Sequence, residues 1–309
     1  MDRRAAQLSE IAALVQTDFT GKDVLIQGLG LCNRTSEYRS VLSYVASADF
    51  LKIAESNPAV QALVIAPELY QKALEERFSF IITSYPEELF YEIHEILFRD
   101  TDFYKLSSGS SRIGHGCRIH PSVVIEEPVT IGHHVTIGPH TVVRQNTEIG
   151  DYTEIGSNCV IGSEGFQILR DRNRVPYHVP HAGNTVIGQC VHIGDQVTIA
   201  NALFEGAVVI GEHTMIDNFC YVAHNCRVGQ SCILTAGVRL MGSVWVEDYV
   251  YIAPQVVVLN KVTLHEGAFI GACSLVNKNV SAGSTVVGIP AELKDDFVEW
   301  RNQMKSLCK

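Results

Sequence analysis

No CxxC pair occurs among the nine cysteines, which stand singly at positions 32, 117, 159, 190, 220, 226, 232, 273 and 308. An odd, scattered set argues against a disulfide framework and reads as free thiols of a reducing cytosol, packed as small hydrophobes. An excess of positive charge is also missing. A formal net charge of -10 and a pI near 5.6 repel phosphates over most of the surface, which excludes nucleic acid or an anionic membrane as the main partner and leaves room only for a local basic pocket. No stretch is long and apolar enough to span a bilayer. The first sixteen residues carry Asp2 and Glu10 around an apolar run and no small-residue cleavage site, so an amphipathic helix is expected there and a leader is not. What is present, 46% hydrophobic and 19% charged residues with a mean hydropathy of +0.11, suits a soluble protein, and a cytoplasmic location is expected.

The sequence changes character near residue 110, which predicts two domains. Residues 1–107 read as a small α/β unit, with helical patterns over Ala5–Gln16, Ala48–Glu55, Leu69–Glu76 and Glu87–Leu97. Strand-like runs cover Val24–Leu31, Ala62–Ala66 and Phe80–Ile82. The serine- and glycine-rich segment Leu106–Ser111 marks the boundary. Residues 108–288 form the second domain and 289–309 a short C-terminal helix, with Phe297, Trp300 and Met304 on one stripe.

Within the second domain an aliphatic residue returns every six positions, a period that fits neither a helix nor a simple strand. It runs unbroken from Ile113 to Ile161, resumes from Ile187 to Ile199, and after a shift of phase continues from Ile210 to Val276, making twenty-four hexads. Glycine often follows the aliphatic residue, as at 132, 138, 150 and 211, where a tight corner is expected to need backbone freedom. Two interruptions break the pattern. Residues 163–185 hold Arg170, Arg172, Arg174 and two histidines and are expected to be a functional surface loop too polar for a core, and the slip near Asn201–Ala207 is expected to bulge one corner.

This pattern resembles the hexapeptide-repeat family. The resemblance implies a left-handed parallel β-helix of about eight coils, each of three hexads and eighteen residues, with the N-terminal α/β domain and the C-terminal helix added to it. Members of that fold are mostly acyltransferases working at a cleft between protomers of a trimer, which directs attention to a base. Among twelve histidines, His133, His134, His140, His192 and His213 occupy ordinary hexad positions and read as a solvated face. His224 is set apart by its context, Ala223-His224-Asn225. Asp217, seven residues upstream, offers a carboxylate to hold the ring, and Gly242, one coil of eighteen residues above, offers an amide to an oxyanion. On spacing alone a solvated surface histidine is as good a reading.

The motifs Gly165-Phe166, Ala223-His224-Asn225, Ala236-Gly237-Val238, Met241-Gly242-Ser243 and Gly288-Ile289-Pro290-Ala291 resemble the UDP-3-O-(3-hydroxyacyl)glucosamine N-acyltransferases. The resemblance runs over essentially the whole chain, and it implies His224 as catalytic base, supported by Asp217 or Asn225, with the Gly242 amide as oxyanion donor. It also implies that Tyr44 and Phe50 sandwich a uracil, with Ser47 near the nucleotide where the family has asparagine and Lys261 where it has a second histidine. No bound cofactor and no metal are implied. Acyl-CoA or an acyl carrier protein is the co-substrate, a nucleotide-linked amino sugar the acceptor, and a homotrimer the assembly. Three departures stand out: Ala200-Asn201 in place of the family's Asp-Arg segment, Lys261, and an acidic tail carrying Glu292, Asp295, Asp296 and Glu299. They point to a relative serving lipopolysaccharide or another surface glycan, with the long-chain lipid A enzyme and a short-chain coenzyme A-dependent sugar N-acetyltransferase as alternatives. A metal-dependent hydratase would need several converging histidines, and no pair has the obvious spacing. A non-catalytic scaffold would leave the aromatic pair unexplained.

Overall fold

The computed structural model describes residues 5–34, 36, 38–104 and 110–307. The expected boundary at 107/108 and Cys308 lie outside them. The chain divides into two compact units, one of residues 1–108, 166–183 and 203–206 and the other of 109–165, 184–202 and 207–309. Both interruptions of the hexad pattern therefore supply residues to the first unit.

In the first unit four parallel strands, Gly28–Leu29, Val41–Val45, Val60–Ile65 and Ser79–Ile82, lie in sequence order. Helix α1 (Leu8–Leu14) is shorter than its periodicity predicts, because Ala6–Gln7 pairs with Leu25–Ile26 as an antiparallel ribbon. Helix α2 (Ala48–Ser56) matches its expected span, whereas Leu69–Glu76 reduces to a 3-10 turn over Lys72–Glu76. Pro86 opens helix α3 (Pro86–Arg99), where its fixed φ is already helical and its missing N–H costs nothing. The α3 residues Phe90, Ile93 and Leu97, at spacings of three and four, bury one face against Ile26, Leu42, Val64 and Ile81.

The interruption at 163–185 corrects the expectation of a wholly polar loop. Its hairpin, Ile168–Arg170 with Pro176–His178, is followed by Val179, His181 and Ala182, all buried. Arg172 is a clamp within this unit: its Nε donates to Glu88 Oε2 at 2.8 Å and its guanidinium lies 3.9 Å from the Tyr85 ring centroid. Leu203 and Phe204 enter the same core, Phe204 meeting Phe90 edge-on at 5.4 Å and His94 at 4.8 Å. His94 is fully buried, with Nδ1 2.8 Å from Tyr104 Oη and Nε2 2.8 Å from the Pro180 carbonyl oxygen. A carbonyl can only accept, so Nε2 carries the proton and Nδ1 of the neutral ring accepts from the phenol. His94→Leu strands two buried polar groups. We expect it to cost about 2–6 kcal/mol, at roughly 1–3 kcal/mol per orphaned group, read as a lower urea midpoint at unchanged m.

The second unit is the β-helix. Three sheets of eight, eight and ten strands, parallel throughout their coils, stack short strands in register across successive coils, Ile131 on Ile149, Ile137 on Ile155 and Val143 on Ile161. Eight complete coils result, and Thr285–Val287 with the antiparallel Glu292–Leu293 extends one sheet. The hexad aliphatics from Ile131 to Val276 are at most 3% exposed, one continuous core. Helix α4 (Lys294–Leu307) follows, with Phe297 at the Gly288 turn and Trp300 and Met304 exposed.

The glycines need a different explanation from the one expected. The left-handed residue of each corner is usually not glycine: His134, His140, Tyr152 and Asn158 all have φ between 57° and 60°. The glycine after the aliphatic residue is there for space, since a Cβ on Gly132 would come 2.3 Å from Asp151 Oδ1 and 2.8 Å from its backbone nitrogen in the next coil. Corner side chains cross-link the coils as well. The Cys226 and Cys232 thiols donate to the carbonyl oxygens of Met241 and Glu247, each at 3.1 Å, and Thr214 to that of Gly229 at 2.8 Å. Burial pushes the Cys220 and Cys232 thiols up to about 11, and they are free.

Candidate active site

Each coil of the β-helix has three corners, and one of them gathers most of the expected catalytic residues. After the strand Tyr221–Val222 the chain turns at 223–226; one coil on it turns at 241–244, and one further at 259–262. Coil-to-coil hydrogen bonds bind these turns into a column. Ser243 N–H donates to the His224 carbonyl at 2.9 Å, and Lys261 N–H to the Gly242 carbonyl at 3.1 Å. Asn225, Ser243 and Lys261 hold the left-handed position of each turn, with φ of 58°, 64° and 64°.

The His224 ring leans up the column onto Gly242. A methyl group on Gly242 would lie 2.7 Å from both Cε1 and Nε2 of that ring, so the imidazole occupies the place of the missing side chain. The Gly242 residue is buried and its N–H has no hydrogen-bond partner among the described residues. A buried unpaired amide costs stability, and a donor beside a potential base is a site that an oxyanion can fill. The other ring nitrogen, Nδ1, lies 3.0 Å from Asn225 Oδ1. With the amide oxygen accepting there, Nδ1 carries the proton and Nε2, beside Gly242, presents its lone pair.

Asp217 does not share this corner. Seven residues is one more than the hexad, and it carries Asp217 back to the preceding turn, after the strand Met215–Ile216. There it is exposed and accepts from Asn218 N–H at 2.7 Å. Asn225 takes the orienting place. Lys261 is exposed, two turns above His224 in the same column.

In the first unit, Tyr44 lies near the end of the strand Val41–Val45 and Phe50 in the first turn of α2. Phe50 is exposed. Tyr44 is half-buried, its ring centroid 5.1 Å from Phe90 and 6.1 Å from Tyr91, and its phenol donates to Glu87 Oε1 at 3.0 Å. Burial, with the nearby Tyr91 and Glu87, raises its pKa and keeps the phenol protonated. Ser47 caps α2, its hydroxyl accepting from Phe50 N–H at 3.4 Å, a role that serine fills as well as asparagine.

Two histidine groupings escaped sequence reasoning. At the first coils His115 lies 4.0 Å from His133 and 5.0 Å from His134, ring to ring, and all three are exposed. In the interruption, His178 and His181, a pair whose spacing did not stand out in the sequence, stack at 5.7 Å. The two rings flank Val179-Pro180, just past the hairpin strand Pro176–His178.

A family model described as bacterial transferase hexapeptide (six repeats) matches residues 110–145, 135–163 and 207–242, so the chain carries hexapeptide repeats of that type. Among curated relatives, the UDP-3-O-acylglucosamine N-acyltransferase of Methylorubrum extorquens is 36% identical over 131 residues, covering 42% of this chain and 36% of the relative. The protein of that name from Campylobacter lari is 30% identical over 139 residues, covering 45% and 43%. The chain thus spans less than half the length of the curated relatives it matches. Among solved structures, the UDP-N-acetylglucosamine acyltransferase of Bacteroides fragilis superposes with a TM-score of 0.53 at 18% identity, over 60% of this chain and 71% of that one. At that identity the likeness concerns the fold, which is the left-handed parallel β-helix.

Proposed function

We propose that this protein is an N-acyltransferase that moves an acyl group from a thioester to the amine of a nucleotide-linked amino sugar. The observation that carries the reading is the His224–Gly242 corner, where Nε2 of the ring lies beside a buried backbone N–H that has no hydrogen-bond partner among the described residues. The names of the curated relatives support the acceptor class.

The amine nitrogen attacks the thioester carbonyl while His224 Nε2 takes its proton. The carbonyl oxygen, now negative, accepts from Gly242 N–H, and Asn225 holds the imidazolium through Nδ1–H. When the tetrahedral intermediate collapses, the C–S bond breaks and the leaving sulfur takes the proton from Nε2. An amide and a free thiol result, with no net proton change and no metal in the scheme. Lys261 supplies a point charge for phosphate, and Tyr44 and Phe50 are the base-stacking pair of the first unit. Stacking on Tyr44 uses the ring face away from Phe90.

A homotrimer in the cytoplasm completes the proposal. Its support is an apolar ladder on the outer side of one β-helix sheet: Met215, Ile233, Tyr251 and Phe269 stand in register on four successive coils, Tyr251 stacked on Phe269 at 5.0 Å. Such a stripe on a flat face suits burial against another copy. The exposed Asp295, Asp296 and Glu299 of α4 disfavour an acidic carrier protein, so a coenzyme A thioester is the favoured donor.

The test is thiol release from acetyl-CoA, 3-hydroxybutyryl-CoA and 3-hydroxymyristoyl-carrier protein, each with UDP- and dTDP-linked amino sugars, with product masses read in parallel. Short-chain transfer from coenzyme A is expected. Long-chain transfer from carrier protein to 3-O-acylated UDP-glucosamine would identify the lipid A reaction instead, and no transfer to any amine would sink the proposal.

A further inference from the structure

We propose that His178 and His181 form a binding site for a divalent transition metal, independent of the acyltransferase corner. Both belong to the interruption at 163–185, in the first unit. They bracket Val179-Pro180, and each presents one ring nitrogen within 4.8 Å of the other's. Their rings are close to parallel, 27° apart. One ion at ~2.0–2.1 Å from each nitrogen separates the pair by roughly 3.4 Å, so a small turn of one side chain closes the site. His178, half-exposed, is the one able to turn; His181 is 4% exposed and fixed.

Three features set this pair apart from exposed histidines elsewhere. His181 Nδ1 lies 3.1 Å from the Val179 carbonyl oxygen, which accepts, so the proton sits on Nδ1 and Nε2 is the ligating nitrogen. A backbone carbonyl behind the ligand is the usual means of fixing tautomer and ring direction at a metal-bound histidine. The backbone between the two ligands is itself held, because the Pro180 carbonyl accepts from buried His94 Nε2 at 2.8 Å and His94 is gripped by Tyr104 at 2.8 Å. A site on an anchored segment loses little freedom on binding. Finally, the donor set is imidazole, which selects zinc, copper or nickel over magnesium or calcium. Water completes the coordination sphere.

Zinc alone is the probe. The full chain is stripped with a chelator, reloaded with zinc, desalted, and its metal content measured by mass spectrometry, with thermal unfolding followed with and without zinc. Wild type is expected to retain one zinc more per chain than H178Q or H181Q and to melt higher when loaded. H140Q, at an exposed β-helix corner, should match wild type. Circular dichroism checks that each variant folds; if H181Q does not, H178Q decides alone. Equal zinc retention by wild type and folded H178Q would overturn the site, whatever the outcome of the acyl-transfer assay.

Discussion

His224→Ala is expected to lower kcat for acyl transfer by roughly 10²–10⁴-fold, the range that a positioned general base contributes. The ring is half-buried at a corner and is not part of the aliphatic core, so the variant should fold with an unchanged melting curve. KM for both substrates should move little, since the lost group acts on the reacting amine and not on the nucleotide. His224→Gln is the informative companion, because glutamine fills much of the space over Gly242 and cannot take a proton from an ammonium-like nitrogen. Rates near wild type in both variants would mean that the corner is not the catalytic centre, even with the acceptor class confirmed.

The second large effect is expected from Gly242→Ala. The substitution keeps the backbone N–H and needs no unusual φ, so neither oxyanion donation nor backbone strain is touched directly. What changes is space: the new methyl group would stand 2.7 Å from Cε1 and Nε2 of His224, and the ring has to swing away. A displacement of about 1 Å from the productive geometry costs on the order of 10²-fold in kcat. Because the damage acts through His224, the two changes should not add. In a His224→Ala background the alanine at 242 should cost several-fold at most, and a double-mutant cycle on kcat measures that coupling. Full additivity would show that Gly242 matters for some reason other than the ring packed against it.

Much of the β-helix was legible residue by residue. The six-residue return of Ile, Val and Leu fixes which side chains point inward, three hexads fix the coil, and the coil length of eighteen is why Gly242 could be placed over His224 before any coordinates. The structure keeps that pair and adds the direction of the ring. Asp217 shows where the same arithmetic misleads. A separation of seven looks short along the chain, yet it moves a residue from one corner to the previous one, and it is Asn225 that meets the His224 ring. In the first unit the helix at Ala48–Ser56 and the strands Val60–Ile65 and Ser79–Ile82 were visible as periodic or apolar runs, whereas the central strand Val41–Val45 was not among them, Val24–Leu31 splits into two short strands, and Leu69–Glu76 carried a helical pattern over a single 3-10 turn.

Periodicity and residue type by themselves determined the repeating scaffold, because a β-helix repeats its contacts at a constant sequence interval, whereas His224 was set apart only by its context and the family resemblance. Other things were decided only by tertiary structure. The residues 166–183 and 203–206 leave the repeat and join another core, Tyr44 packs its ring against Phe90 and Tyr91, and His178 stacks on His181 beside a Pro180 carbonyl held by His94. Each of these depends on side chains far apart in the chain competing for the same space. No local pattern records the outcome of that competition.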